Sequence, residues 1–518
     1  MHRALADIES LPELKARHLA LATVSSDPAT LQALDTAADA ARTRGAPAAA
    51  AELVDLAIRL GGDTPERRIR AAAHLFHAGD AEPARALLEP MVSQLTSGPL
   101  RATAVNLLAE MRMYNNSFAH AAERLRGAED DAATDPAVLV QSFLLLSFAQ
   151  LNTGEDDESL HYAQRAATLA EEHDLPALTS QARAMSVTVG LVCGQGVDES
   201  SLQAALELED PDIDVSLPFS ASAVNALAQA WTGRLDEARA QMLAVRNRYI
   251  ERGANSHIMF IDLHSTLIDI WRADFASAAL TAEDATERAE QLGGDHMAVI
   301  AQAARAAVAA YTGRERDART NAHAAIEGAN RCVSTRLADQ AVMTLGFLDV
   351  SLGNYAEALT TLQPLIARFN TLPGTEIVTA AFIPDAVEAM IALGHISEAG
   401  PLIEALEHNG RLSTDRGCWR SARAVAACGW PPRATSRPPP ARRSKQRSNT
   451  TGFQCRSNAR TRSCCSANSN AASASRRPSQ LPWARRCTRS STWERRCGPR
   501  ASATNWPAPR AAQPNTCY

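Results

Sequence analysis

His257 and His264 stand seven residues apart, two helical turns, so both rings fall on one helix face together with Ile261. That column reads as packing or groove-rim residues, with a ligand groove as the alternative. Trp231 and Trp271 each lie two residues before a turn. They read as packing at the ends of helices, against an aromatic ligand clamp. The stretch Leu202–Ser216 carries Glu207, Glu209, Asp210, Asp212 and Asp214. A calcium loop would need a glycine at its turn and a closing bidentate Glu, and both are missing, so this reads as a solvated inter-helix loop. Cys464, Cys465, Cys487 and Cys497 fit no common zinc spacing. Trp493, Arg495 and Arg496 have the stacking and charge that single-stranded nucleic acid needs, but no scaffold to orient them. No G-x-x-x-x-G-K-[ST], His-Glu-x-x-His, C-x-x-C or G-x-S-x-G occurs. The sequence therefore assigns no catalytic residue, no cofactor-binding residue, no metal ligand and no cofactor, and the chain reads as a non-enzyme.

These side chains must be held by helices. Residues 1–410 are rich in Ala, Leu, Glu and Arg, with apolar positions at three- and four-residue steps, as in Leu144, Leu145, Phe148, Ala149 and Leu151. A short pattern recurs: a small or polar turn residue, an apolar residue two later, and Ala five later. Gly233-Arg234-Leu235-Asp236-Glu237-Ala238 and Gly353-Asn354-Tyr355-Ala356-Glu357-Ala358 are clear copies. Gly313 to Ala318 has Glu315 at the apolar position, Gly394 to Ala399 is regular, and Ala273 to Ala278 lacks the glycine. Looser copies start at Gly79, Asn116, Gly154 and Gly194, so successive anchors step by 37 to 41 residues. The turn residue ends helix A, and the Ala lets helix B approach closely. No hairpin buries its face alone, so the hairpins stack. The predicted fold is all-α: a tetratricopeptide-like α-solenoid of about ten helical hairpins with turns near 45, 79, 116, 154, 194, 233, 273, 313, 353 and 394.

Charge divides the chain. Residues 1–415 hold 31 basic and 57 acidic residues, a net −26, and residues 416–518 hold 21 basic residues and one acid, a net +20. The tail has 8 of the 10 cysteines and 5 of the 7 tryptophans, but one Leu, one Val, one Phe and no Ile or Met. It cannot bury enough apolar surface to fold alone, so a disordered basic tail is expected. Out-of-frame translation of a GC-rich gene gives this composition. Taking the last base of each codon with the first two of the next, Glu494–Pro499 permits G-A-P-L-W-A when Trp493 supplies the first base, Arg500–Pro507 permits A-R-E-R-D-E-L-A, and Thr451–Asn468 permits R-L-P-V-P-F-E-R-A-H-A-L-L-L-L-G-Q. Arg433–Ser436 permits G-D-L on the repeat register. These strings are helical and acidic like the array, which predicts a frameshift near residues 411–416. The two cysteines of 1–415, Cys193 and Cys332, suit a reducing cytoplasm. No run of 18 or more apolar residues occurs, so no membrane span is expected.

Both frames together resemble the large LuxR-type, MalT-like ATP-dependent transcriptional regulators of actinobacteria. The in-frame stretches that carry the resemblance are Lys15–Ala22, Arg44–Leu53 and Ile377–Ala389. The resemblance implies an N-terminal ATPase, a helical-repeat sensor and a C-terminal helix-turn-helix. Here the phosphate loop is missing and no in-frame helix-turn-helix follows the shift, so neither ATP binding nor specific DNA reading transfers to any residue. The expected organisation is 1–27 as the remnant of a helical annex after a missing ATPase, 28–415 as the repeat array and 416–518 as the tail. The expected function is a non-catalytic sensor and scaffold segment of such a regulator, receiving a protein partner or small effector on the concave face. The alternative is a stand-alone tetratricopeptide-like adaptor with a basic tail. Loss of the next hairpin would bare Ile396, Ile403 and Leu406 and favour self-association.

Overall fold

Helix starts are written into the sequence as acid or hydroxyl caps followed by proline. Asp27 precedes Pro28, Thr64 precedes Pro65 and Asp135 precedes Pro136, and each cap side chain accepts a backbone N–H of the first turn. The computed structural model describes residues 1–22, 27–115, 117–193, 195–213, 215–369 and 381–412. The tail, its cysteines, Trp493, Arg495, Arg496 and the proposed frameshift lie outside the described residues.

The first helices are α1 (His2–Ile8), α2 (Pro12–Ala22), α3 (Pro28–Thr43), α4 (Pro47–Ala57), α5 (Pro65–Ala78) and α6 (Ala81–Val92). Next come α7 (Pro99–Asn115), α8 (Phe118–Arg126), α9 (Glu129–Ala132), α10 (Pro136–Thr153), α11 (Asp156–Glu172), α12 (Pro176–Val192) and α13 (Glu199–Leu208). The regular section holds α14 (Ala221–Trp231), α15 (Leu235–Glu251), α16 (Asn255–Trp271), α17 (Phe275–Leu292), α18 (Asp295–Tyr311) and α19 (Glu315–Cys332). It continues through α20 (Thr335–Leu352), α21 (Tyr355–Arg368), α22 (Ile383–Leu393) and α23 (Ile396–Leu412). No strand occurs among the described residues. Consecutive helices pack on one another, and each helix A also meets the next helix A, as α16 meets α18 and α18 meets α20. The fold is a tetratricopeptide-like α-solenoid.

The expected turns at 45, 79, 154, 233, 273, 313, 353 and 394 each fall between two helices, and those at 116 and 194 lie outside the described residues. Gly353 ends α20 at φ +80, in open space, so backbone conformation alone selects glycine there. Ala273 takes the same left-handed conformation at φ +62 in the copy that lacks glycine. Five residues after their anchors, Ala238, Ala278, Ala318, Ala358 and Ala399 are all fully buried. Ser159 fills that place after Gly154. Its Oγ donates to the Ser147 carbonyl, and the Ser147 Oγ donates to the Ser159 carbonyl, both at 2.8 Å.

Two expectations need correction. The acidic stretch is not one open loop: its first half is α13, which packs on α12 and α14. Its Glu209 then accepts the Ser220 hydroxyl at 2.8 Å and the Ser222 backbone N–H at 3.1 Å. At the last described hairpin, Ile403 and Leu406 are buried with Ile383, Val387 and Leu402, because α23 folds its apolar face onto α22, and only Ile396 is left outside. The expectation of no membrane span is not among them: α10 is, among the described helices, long and apolar enough to cross a membrane by length and composition, but most of it is buried. Its Phe143, Leu146 and Ala149 are buried, and it packs among α8, α11 and α12 as a core helix.

The superhelix closes on itself. The turn at Gly45 lies against the turn at Gly253 so tightly that a Cβ on Gly253 would sit 2.6 Å from the Gly45 carbonyl oxygen. One stretch further along, the Thr335 hydroxyl donates to the Thr153 carbonyl at 3.0 Å, and Arg336 pairs with Asp156. Between these contacts the axis is filled. The ring of His296 meets Phe118 and Phe260 edge-on at 5.1 and 5.3 Å, and Phe148 meets Phe219 at 5.9 Å. The concave surface is therefore not open along its whole length, because successive turns of the superhelix plug it with their own side chains.

Candidate functional site

A cleft remains open along the inner face of α14, α16, α18, α20 and α22. Its walls include Trp231, His264, Trp271, Tyr311, Phe347 and Asp385, and its free space is about 70 Å³. The repeat places these residues. Trp231, Trp271 and Tyr311 each stand two residues before the turns at 233, 273 and 313. His264, Thr344 and Asp385 each stand nine before the turns at 273, 353 and 394. Leu267, Ala307 and Phe347 form the column between, six before their turns. A helix brings positions i, i−4 and i−7 to one stripe, and stacked repeats set the stripes side by side.

Trp231 and Trp271 are the only tryptophans of residues 1–415, and both line this one cleft. Both pack into the array, as expected, and both also reach the wall of the cleft. Trp231 is 4% exposed and belongs to the core of α14 and α15. Trp271 is only partly buried and bridges the two larger core clusters. Tyr311 and Phe347 stack face to face, with ring centroids 3.8 Å apart and planes inclined by 17°. Asp385 is 7% exposed.

The histidine pair of α16 is split by function. His264 lines the cleft, and burial pushes its pKa down to about 4, so it is a neutral imidazole at neutral pH. His257 is buried deeper in the fold, 3.4 Å from the Ser216 hydroxyl, with its ring against Tyr249 and against His77 of α5. Burial, then the nearby His77, lowers it to about 3. It is a seam residue between turns of the superhelix. Among the described residues, no three His, Cys, Asp or Glu side chains converge as metal ligands. Burial raises both Cys193 and Cys332 to about 11, which leaves them as unreactive thiols.

Tyr311, Phe347, Thr344 and Asp385 were not singled out from the sequence as site residues. Aligning the copies on their turn residues would have found them, since Tyr311 falls in the tryptophan column and Asp385 in the His264 column.

No family profile matches the chain, and no curated protein matches its sequence. Among solved structures, it is similar to a Rap protein complexed with competence and sporulation factor, with a TM-score of 0.44, 12% identity, and coverage of 74% of this chain and 97% of that one. It is also similar to a signal-transduction ATPase with a tetratricopeptide repeat sensor from Pyrococcus horikoshii, with a TM-score of 0.34 and 14% identity over 72% of this chain and 55% of that one. The yeast Tom70 aligns with a TM-score of 0.33 and 12% identity, over 80% of this chain and 92% of that one.

Proposed function

We propose that the chain is a non-catalytic, ligand-receiving repeat module, and that it serves as the cytoplasmic sensor and scaffold segment of a LuxR-type transcriptional regulator. One observation carries the reading. The inner-face columns of the repeat, packed elsewhere with the chain's own rings, here leave aromatic side chains around unfilled space. A ligand seated there touches helices α14 to α22 at once, so its binding energy acts on the angle between hairpins. The regulator context rests on the resemblance of Lys15–Ala22, Arg44–Leu53 and Ile377–Ala389. Binding alone suits the site, because His264 is neutral and no nucleophile with an adjacent base lines the cleft among the described residues.

The test is a thermal-shift panel of short peptides and small metabolites on the full chain, repeated on Trp271→Leu. At least one compound should raise the melting temperature of the parent saturably and fail to do so in a folded Trp271→Leu variant. A panel in which no stabiliser depends on Trp271 refutes the assignment of this cleft.

A further inference from the structure

We propose that the cleft is selective for a small neutral aryl carboxamide, an amide group carried on one flat apolar ring. The inference rests on the reading of the cleft as the ligand site and names the chemistry that site selects.

The space exists because one helix of the array is thin where its neighbours are broad. Nine and six residues before its turn, α18 carries Ala304 and Ala307, both buried. At the same places α16 carries His264 and Leu267, and α20 carries Thr344 and Phe347. α18 packs between these two helices, so its alanines leave a trough with α16 as one wall and α20 as the other.

Each wall brings one polar side chain that the fold leaves uncommitted. The ring nitrogens of His264 and the side-chain amide of Gln340 make no hydrogen bond to any described residue, and both side chains are half-buried in the lining. Burial keeps His264 neutral at physiological pH. A neutral imidazole and an amide each offer one donor side and one acceptor side. A carboxamide holds the complementary set in one plane: its N–H groups donate and its C=O accepts. A ketone fills the acceptor role only, and a hydrocarbon leaves both side chains without partners, each at a cost. A carboxylate of the same shape would lose its water with no lysine or arginine to meet it among the described lining residues. The rest of the lining calls for an apolar body, since Trp231, Leu267, Trp271 and Met343 all border the cleft. Trp271 is partly buried and meets no other ring among the described residues, so a flat ring can lie on its indole. Size narrows the class further: 70 Å³ holds on the order of five water molecules, so a single-ring molecule enters and a folded element does not.

The probes are four molecules of nearly one shape. Benzamide is the neutral carboxamide, acetophenone replaces its amino group by methyl, benzoate is the anion and benzamidine the cation. Each is titrated calorimetrically into the full chain at neutral pH. Benzamide should bind at least about 10-fold more tightly than each of the other three. Gln340→Leu should lower benzamide affinity by about 10-fold and shrink its lead over acetophenone. The ranking of the four probes on the unaltered chain needs no variant, so it stands even if Gln340→Leu folds poorly. Equal binding of benzamide and acetophenone, tighter binding of benzoate or benzamidine, or no benzamide binding up to about 10 mM overturns the carboxamide inference. A panel compound without an amide that still depends on Trp271 would sink this inference alone. A panel without any Trp271-dependent compound would sink the cleft as well.

Discussion

Ala273 holds a left-handed backbone, at φ +62, where its sister hairpins use glycine. For an L-residue with a Cβ that conformation costs roughly 1–2 kcal/mol, partly offset because glycine would lose more chain entropy on folding. Ala273→Gly is therefore expected to stabilise the protein by about 0.5–1 kcal/mol, read as a higher denaturation midpoint at unchanged m-value. A lower midpoint would mean that the turn gains something from the methyl group. The buried alanines make the opposite case. Ala358 is fully buried where α21 meets its neighbours, and Ala358→Trp should overpack that contact at a cost of about 1–3 kcal/mol. An unaltered melting temperature would remove close approach as the reason for Ala at this place in the repeat. Both positions were legible in the sequence, because a turn residue and a small residue at fixed spacing each have a local cause. Tyr311 and Asp385 were legible only across copies, since nothing in their immediate neighbours marks them.

Between elements, the repeat writes an ion pair as well as an apolar face. Arg239 of α15 meets Asp269 of α16 at 2.7 Å, and two hairpins later Arg319 of α19 meets Asp349 of α20 at 2.6 Å. Each arginine stands six residues after its turn, and each aspartate four before the next. The Asp349 side chain is 3% exposed and the Arg319 side chain 32%, so the pair clamps helix B to the following helix A from the edge of the core. Arg319→Ala leaves the carboxylate buried without this partner, and a loss of about 3 kcal/mol in chemical denaturation is expected. A loss under about 0.5 kcal/mol would show that the pair behaves as an exposed bridge. Helix existence, helix order and turn positions all followed from periodicity and punctuation. The acidic stretch after Leu202 did not: its charges concealed α13, whose Leu202 and Ala205 are the buried residues that hold it to the array.

The whole molecule carries what no single repeat shows. Closure depends on the small rotation per hairpin accumulating until Gly45 reaches Gly253 and Asp156 reaches Arg336, and that rotation is a property of packing rather than of any one segment. Two neutral histidines sit in the closed seam: His257 against His77, and His296 against Phe118. Burial, as the leading cause in each, holds His74 and His296 at about 4 and His257 at about 3, from an ordinary 6.5. The unfolded chain binds their protons first, so their contribution is intact above pH 6.5 and is lost as pH falls toward 4. Each costs about 1.4 kcal/mol per pH unit across that window. Glu110 acts in the opposite sense, because burial raises its carboxyl from 4.5 to about 7 and its folded form favours the proton. With His264 of the cleft, also held at about 4, four histidines outweigh one glutamate, so stability should fall by roughly 4 kcal/mol per pH unit on acidification near pH 5. Hydrogen exchange should show α5, α16 and α18 losing protection first. Stability that stays flat from pH 7 to pH 5 would rule out buried neutral histidines in the seam. The cleft itself is tested most directly by fluorine NMR of the full chain labelled with 5-fluorotryptophan, its Trp231 and Trp271 signals assigned by Trp→Phe substitution. A panel compound that stabilises the protein should shift those two resonances saturably and leave the five tail tryptophans unmoved. Binding that leaves both Trp231 and Trp271 unshifted, or that moves only tail signals, would contradict the concave cleft as the place where this protein receives its ligand.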